Sequence, residues 1–499
     1  MKISRRECLF LIGGTAAGAA GLGGAIYLKD RSKSIPVSLN VNDIHSQLNA
    51  TTVRSIENPT TLEDLLGILR RANREKQKLC ISGSRHAMGG QQFAKDAVMI
   101  DTRGLKGVMD FDSRTGLVQV EAGIEWPDFV DEMTARQGDV VDYWTIRCKQ
   151  TGADKLTLGG AIAANAHGRT LKHPPMVADI EELLLVNATG DPLRCSRTIN
   201  PELFGLVVGG YGLFGVVHSA TYRLERRHKL ERTVEMVRAD ELVANFEKRI
   251  KEGYTLGDWQ YAIDEKSNDF LNLGVFSCYK PVPIDTPIKD EQKTVSDRAW
   301  QELVYLAHTD KSKAFKLYSD FYLETSGQIY WSDTSQIGGY DEDYHKNTDK
   351  RMGARAACTE MITEIDVPRD RLVDFLVAAA DGLRKLNGNV IYGTIRLVEK
   401  DVDSFLTWAK QDYACVIFNL HVEHTEEKIM EAAEAFRMLI DLAAERNGSY
   451  YLTYHKWAHK HQVMSCYPQF EEFLARKRQH DPTEIFQSEW YRHYLRMFE

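Results

Sequence analysis

The sequence predicts an α+β protein of two bodies, and three observations support this. From residue 79 onward, short apolar runs at 79–81, 98–100 and 117–120 are bounded by turn residues and read as strands. Beyond Arg226-Arg227-His228-Lys229 the texture changes to longer amphipathic helices, at 239–251 and 369–386, mixed with strands at 390–398 and 415–422. The chain has 499 residues, 43% of them hydrophobic, and single cores stop growing near ~250–300 residues. A boundary is therefore placed near residue 228. The first body is α+β rather than a repeating strand-helix-strand array, and the second is expected to hold an antiparallel sheet.

Residues 1–30 contain Ser4-Arg5-Arg6-Glu7-Cys8-Leu9 followed by an uncharged stretch from residue 9 to 28. This reads as a twin-arginine export signal or an N-terminal membrane anchor. Either places the body outside the cytoplasm, in the periplasm or cell envelope, with a possible membrane tether. Residues 31–52 read as a polar linker. Apolar positions at Leu62, Leu65, Leu66 and Leu69 have helical spacing, with Thr60 or Thr61 as cap and Glu63 and Asp64 in the first turn. Residues 180–187 and 192–196 form a hairpin pattern around Ala188-Thr189-Gly190-Asp191, and 216–224 is a further strand. Residues 285–294 read as a solvated loop, and 481–490 as a turn followed by anchoring aromatics.

A net charge of -8 and a pI near 6.1 give no basic footprint for nucleic acid. Eight scattered cysteines form no Cys-x-x-Cys knuckle and read as buried thiols. His455 and His459 are four residues apart but have no third ligand in the pattern, so no metal site is assigned.

The chemistry lies in glycine. Ser82-Gly83-Ser84-Arg85-His86-Ala87-Met88-Gly89-Gly90 follows a strand and offers backbone N–H groups to a diphosphate without Cβ interference. This loop lacks the spacing G-x-G-x-x-G and no helical period follows its glycines, so it is not a turn of the Rossmann kind. Two further runs of small residues follow. One spans 156–168 and includes Gly159, Gly160, Ala163, Asn165, His167 and Gly168; the other spans 208–217 and includes Gly215 and Val216. Both suit close approach of backbone to a flat ring.

In order and spacing, Gly83-Ser84-Arg85-His86, Leu158-Gly159-Gly160, Asn165-Ala166-His167-Gly168 and Gly209-Gly210-Tyr211-Gly212-Leu213-Phe214-Gly215 resemble the FAD-binding domain of the vanillyl-alcohol-oxidase and p-cresol-methylhydroxylase (PCMH) family. The resemblance covers about residues 53–227. It implies a two-lobed FAD domain in which the first loop holds the diphosphate and the later runs line FAD. A substrate or cap domain at 228–440 and a segment at 441–499 returning to the flavin would complete it. A histidine at the place of His86 often bonds the flavin 8α-methyl carbon in such proteins, so the resemblance implies covalent FAD. Gly-Ser-Arg-His is nearest to alditol oxidases, and Met88-Gly89-Gly90-Gln91 to cytokinin dehydrogenases.

On the reacting side, Gly393-Thr394-Ile395-Arg396 resembles the alditol oxidase segment that carries a Glu-x-Arg pair. Arg396 matches, while Thr394 stands at the acid position. Asn419, His421 and Glu423 share one strand face and suit a polar pocket wall. Tyr454-His455-Lys456-Trp457 falls where related sugar oxidases place a histidine and a lysine near the flavin, His455 as base and Lys456 against the reduced flavin. Asp154 is displaced from the cytokinin dehydrogenase aspartate and takes no role. The expectation is an FAD-dependent oxidase or dehydrogenase taking hydride from a CH–OH group of a sugar, alditol, lactone or related alcohol. Oxygen, a quinone or a cytochrome would be the electron acceptor. CH–NH oxidation and a non-catalytic flavin-holding envelope protein are the alternatives.

Overall fold

The computed structural model describes residues 39–338 and 344–499. The export or anchor segment lies outside the described residues. Thr61 caps the helix Leu62–Glu75 by accepting from the Asp64 N–H, while the Asp64 side chain accepts from the Thr61 backbone, a reciprocal capping box. The helix buries Leu65, Leu66, Ile68 and Leu69 in one cluster with a three-stranded parallel sheet of Ser55–Glu57, Val98–Asp101 and Leu79–Ser82. This is one lobe. The other is a five-stranded antiparallel sheet in the order Pro192–Ser196, Ile180–Val186, Val216–Arg223, Leu117–Glu121 and Val108–Asp112. The 192–196 and 180–186 pair is the hairpin read from the sequence.

One segment differs from its reading. The supposed linker contains the strand Leu39–Val41, paired with Thr51–Val53. The side chains of Asn42, Asp43 and Asn49 tie the intervening turn internally, and Asn49 Nδ2 donates to the Met88 carbonyl at 2.7 Å. Local side-chain bonds of this kind order a polar segment without an apolar core. The small-residue run after Thr157 is a short helix, Leu158–Ala164, whose cap Thr157 accepts from Gly160 N–H.

From Lys229 the chain builds an eight-stranded antiparallel sheet. Its order is Ile329–Trp331, Lys229–Arg238, Leu273–Val282, Leu256–Tyr261, Val390–Val398, Tyr413–Glu423, Cys358–Pro368 and Ser449–Tyr450. Helices Ala239–Lys251, Leu372–Lys385 and Glu426–Ala444 bury apolar stripes in the same core. A helix pair, Asp297–Thr309 and Lys311–Leu323, stands beside this sheet. Together these elements make the fold α+β, as expected. The seven cysteines among the described residues are free and buried, and no helix among them is long and apolar enough to cross a membrane.

The end of the chain comes back to its beginning. Leu79 N–H donates to the Ile485 carbonyl and Gln487 N–H to the Leu79 carbonyl, each at 2.7 Å. Phe486 and Trp490 are buried.

Candidate active site

A cavity of about 490 Å³ runs between the glycine segments and the eight-stranded sheet, within the ~300–1,000 Å³ of small-molecule and cofactor sites. Of the residues singled out in the sequence, Gly83, Ser84, Arg85, His86, Ala87, Gly159, Gly160, Ala163, His167 and Gly215 line one side. Arg396 and Asn419 line the other.

Backbone proximity explains the glycines. A Cβ on Gly83 would lie 2.1 Å from Thr157 Oγ1, and one on Gly159 would lie 2.9 Å from the Ala122 carbonyl oxygen. Gly215 has φ +149° and would put a Cβ 2.7 Å from the Val186 carbonyl oxygen, so Gly159 and Gly215 close on another backbone segment and Gly83 on a threonine side chain. Arg85 takes a left-handed φ of 61°, and its Nε is buried with no hydrogen-bond partner. An unsatisfied guanidinium N–H beside a Cβ-free loop fits an anionic diphosphate.

His86 Nε2 lies 3.0 Å from the Lys155 carbonyl oxygen, which only accepts, so Nε2 carries the proton. Nδ1 then presents its lone pair to His45 Nε2 at 2.8 Å. Burial, with His45 alongside, pushes the His86 pKa down to about 3, so the imidazole is neutral and nucleophilic. His45, in the segment read as a linker, is a site residue that the sequence pattern did not mark.

The opposite wall holds a second unmarked residue. Glu364, on Cys358–Pro368, places Oε1 2.8 Å from His167 Nε2, and both are buried. With Nε2 donating to the carboxylate, Nδ1 carries the lone pair, and Nδ1 is buried without a partner. Arg396 Nε is likewise buried and unpartnered. Tyr454 lines the cavity too, and burial raises its phenol pKa. A carboxylate-oriented imidazole with an open lone pair, lining the same cavity as a guanidinium whose Nε has no partner, is equipped to take a proton and to stabilise the oxygen left behind.

Other sequence candidates do not line the cavity. Ser82 ends its strand with Oγ donating to the Gly83 carbonyl. Gly90 lies by Glu489 and Lys456. Asn165 caps the short helix in a left-handed conformation and donates to Asp401 at 2.9 Å. Gly168 packs against Cys148 and Lys149, and Val216 is buried in the sheet. His455 points away from the cavity into an aromatic cage of Phe436, Tyr450 and Trp457, with Nε2 3.1 Å from Thr363 Oγ1. Burial lowers its pKa to about 3. Burial also lowers the pKa of Lys456. His421 meets Glu360 at 3.2 Å instead. Asp154 is paired with Lys149 at 2.8 Å.

The buried histidines are expected to make the fold acid-sensitive. His86 and His455 are held at about 3, and burial holds His493 at about 4. The unfolded chain protonates them near 6.5, so it binds more protons below that pH. Stability is expected to be level in these groups above pH 6.5 and to fall steadily from there to about pH 3. Urea midpoints across that range check this.

Residues 54–196 match the FAD binding domain family. The chain is 32% identical over 174 residues to an uncharacterised oxidoreductase of the fasciation locus of Rhodococcoides fascians, covering 34% of this chain and 37% of that protein. It is 28% identical over 172 residues to a cytokinin dehydrogenase of Oryza sativa subsp. japonica, covering 34% and 31%. Over 216 residues it is 28% identical to a mitochondrial L-galactono-1,4-lactone dehydrogenase of the same plant, covering 42% and 36%. The chain thus spans about a third of the length of these curated relatives. The resemblance to the PCMH type of FAD domain is borne out, and each of its glycine segments contributes residues to the cavity wall.

Proposed function

We propose that this protein is an FAD-dependent oxidoreductase that oxidises a CH–OH group of a sugar, alditol, lactone or related alcohol, with FAD bonded covalently through His86. The observation that carries the reading is the buried His167–Glu364 pair, whose Nδ1 has no partner, on a cavity that Arg396 also lines. Bound there, FAD supplies the hydride acceptor. Glu364 holds the ring and its tautomer; His167 Nδ1 takes the hydroxyl proton; Arg396 stabilises the developing negative oxygen. Thr394, buried at the position of the family acid, leaves the proton to His167. The cavity position and neutral state of His86 support the covalent bond.

CH–NH oxidation is the second reading. It is supported by the apolar side chains that the helix pair adds to the cavity, Trp300, Leu303, Val304, Phe315 and Tyr318, and by the similarity to cytokinin dehydrogenases. Oxygen, a quinone or a cytochrome would reoxidise the flavin, and the Arg5-Arg6 segment supports an envelope location.

Anaerobic bleaching of the flavin by sugars, alditols, lactones and amines tests the reading. Bleaching by a hydroxyl donor is expected; bleaching by amines alone would favour the second reading, and none by any donor a flavin-holding role. Acid precipitation tests the bond separately. Yellow colour should stay with the pellet of the native protein and pass to the supernatant for His86→Ala.

A further inference from the structure

One cluster of metal-ligating side chains takes no part in that chemistry. His308 stands on the helix Asp297–Thr309, while Glu360 and His421 face each other across the antiparallel pair Cys358–Pro368 and Tyr413–Glu423. Glu360 Oε1 lies 3.2 Å from His308 Nε2 and 3.2 Å from His421 Nδ1. One ligand atom from each residue lies within 4.8 Å of the other two. The two imidazoles are perpendicular, with centroids 4.6 Å apart.

The spacing and the Nδ1 contact of His308 point to a cation. Bonds of about 2.0–2.1 Å in a tetrahedral site put neighbouring donor atoms about 3.3 Å apart, close to the two short separations here. His308 Nδ1 lies 2.7 Å from the Val304 carbonyl oxygen, which only accepts, so Nδ1 carries the proton. In the tautomer with its single proton on Nδ1, Nε2 offers a lone pair on the side of Glu360 and His421, as a metal ligand does. An Nδ1–H bonded to a backbone carbonyl is also how metal-ligating histidines fix their tautomer.

We propose that His308, Glu360 and His421 bind one divalent first-row ion of the zinc type, which fastens the helix Asp297–Thr309 to the sheet beside the cavity. Two imidazoles and one carboxylate are a common ligand set for such ions. Glu360 itself lines the cavity, as do Trp300, Leu303, Val304 and Ala307 of the same helix, so the ion sets the position of one wall. The sequence pattern held no hint of this, because the three ligands come from positions 308, 360 and 421 with no short motif.

The test uses the flavin-loaded full chain, dialysed against a chelator and titrated with Zn²⁺ by calorimetry and with Co²⁺ by visible absorption. One equivalent of Zn²⁺ should bind, with affinity at least tenfold weaker in His308→Ala and in His421→Ala. Both variants should keep the flavin spectrum. Zn²⁺ uptake by the native protein no greater than that of the double variant would overturn the proposal. Should a variant lose its flavin, the native Co²⁺ spectrum decides: a tetrahedral ligand-field band supports the site, and its absence overturns it. Metal uptake is read without any donor, so it stands or falls separately from the oxidation.

Discussion

Replacement of His167 by Gln is expected to slow flavin reduction by ~10²–10⁴-fold, the usual contribution of a positioned general base. The ring is held by Glu364 at 2.8 Å and packed against Trp408, with centroids 5.0 Å apart, so the native geometry costs no reorganisation at the moment of proton transfer. Glu364→Gln should have a smaller effect of the same kind, because it weakens the tautomer preference without removing the base. The two losses should not add, since the residues act as one unit. Anaerobic stopped-flow reduction with saturating donor separates this from binding. A lowered limiting rate with an unchanged visible spectrum is the expected pattern; a rate equal to that of the native protein would remove His167 from the mechanism.

The largest effect on stability is expected at Asp481. Lys477 Nζ and Asp481 Oδ2 are 2.6 Å apart, with side chains 0% and 1% exposed. Burial lowers the lysine pKa while Asp481 opposes the shift. The carboxylate also accepts from the N–H groups of Ile485 and Phe486, each at 2.9 Å. Breaking a buried pair from one side leaves an uncompensated charge and costs about 3–5 kcal/mol. Asp481→Ala should therefore shift the urea midpoint sharply downward. Removing both charges, as Lys477→Met with Asp481→Leu, should recover only part of the loss. The two amide groups still lack their acceptor in that variant.

Much of the fold was legible in local pattern. The helix after Thr61, the hairpin around Ala188-Thr189-Gly190-Asp191 and the helix Ala239–Lys251 follow from periodicity and turn chemistry that act within a few residues. The glycine segments were legible for a different reason, since a backbone that approaches another backbone leaves no choice of side chain. The cap wall was harder to read. His455 and Tyr454 are neighbours, yet one enters an aromatic cage and the other the cavity. Which one faces the cavity is decided by Phe436, Tyr450 and Trp457, not by the tetrapeptide. Glu364 and His45 escaped notice because each acquires its role from a histidine far away in the chain, 197 positions for Glu364 and 41 for His45.

The return of the last residues to the strand Leu79–Ser82 bears on when the protein can become active. The glycine loop that lines the cavity is braced from behind. Gln91 donates to the carbonyls of Leu452 and Thr453, and Lys95 N–H donates to Glu489, 394 positions onward. Closing contacts this distant must wait until the intervening chain has been made. Cofactor capture is thus a late event on the ribosome's clock, and a nascent chain has its glycines long before it has a pocket.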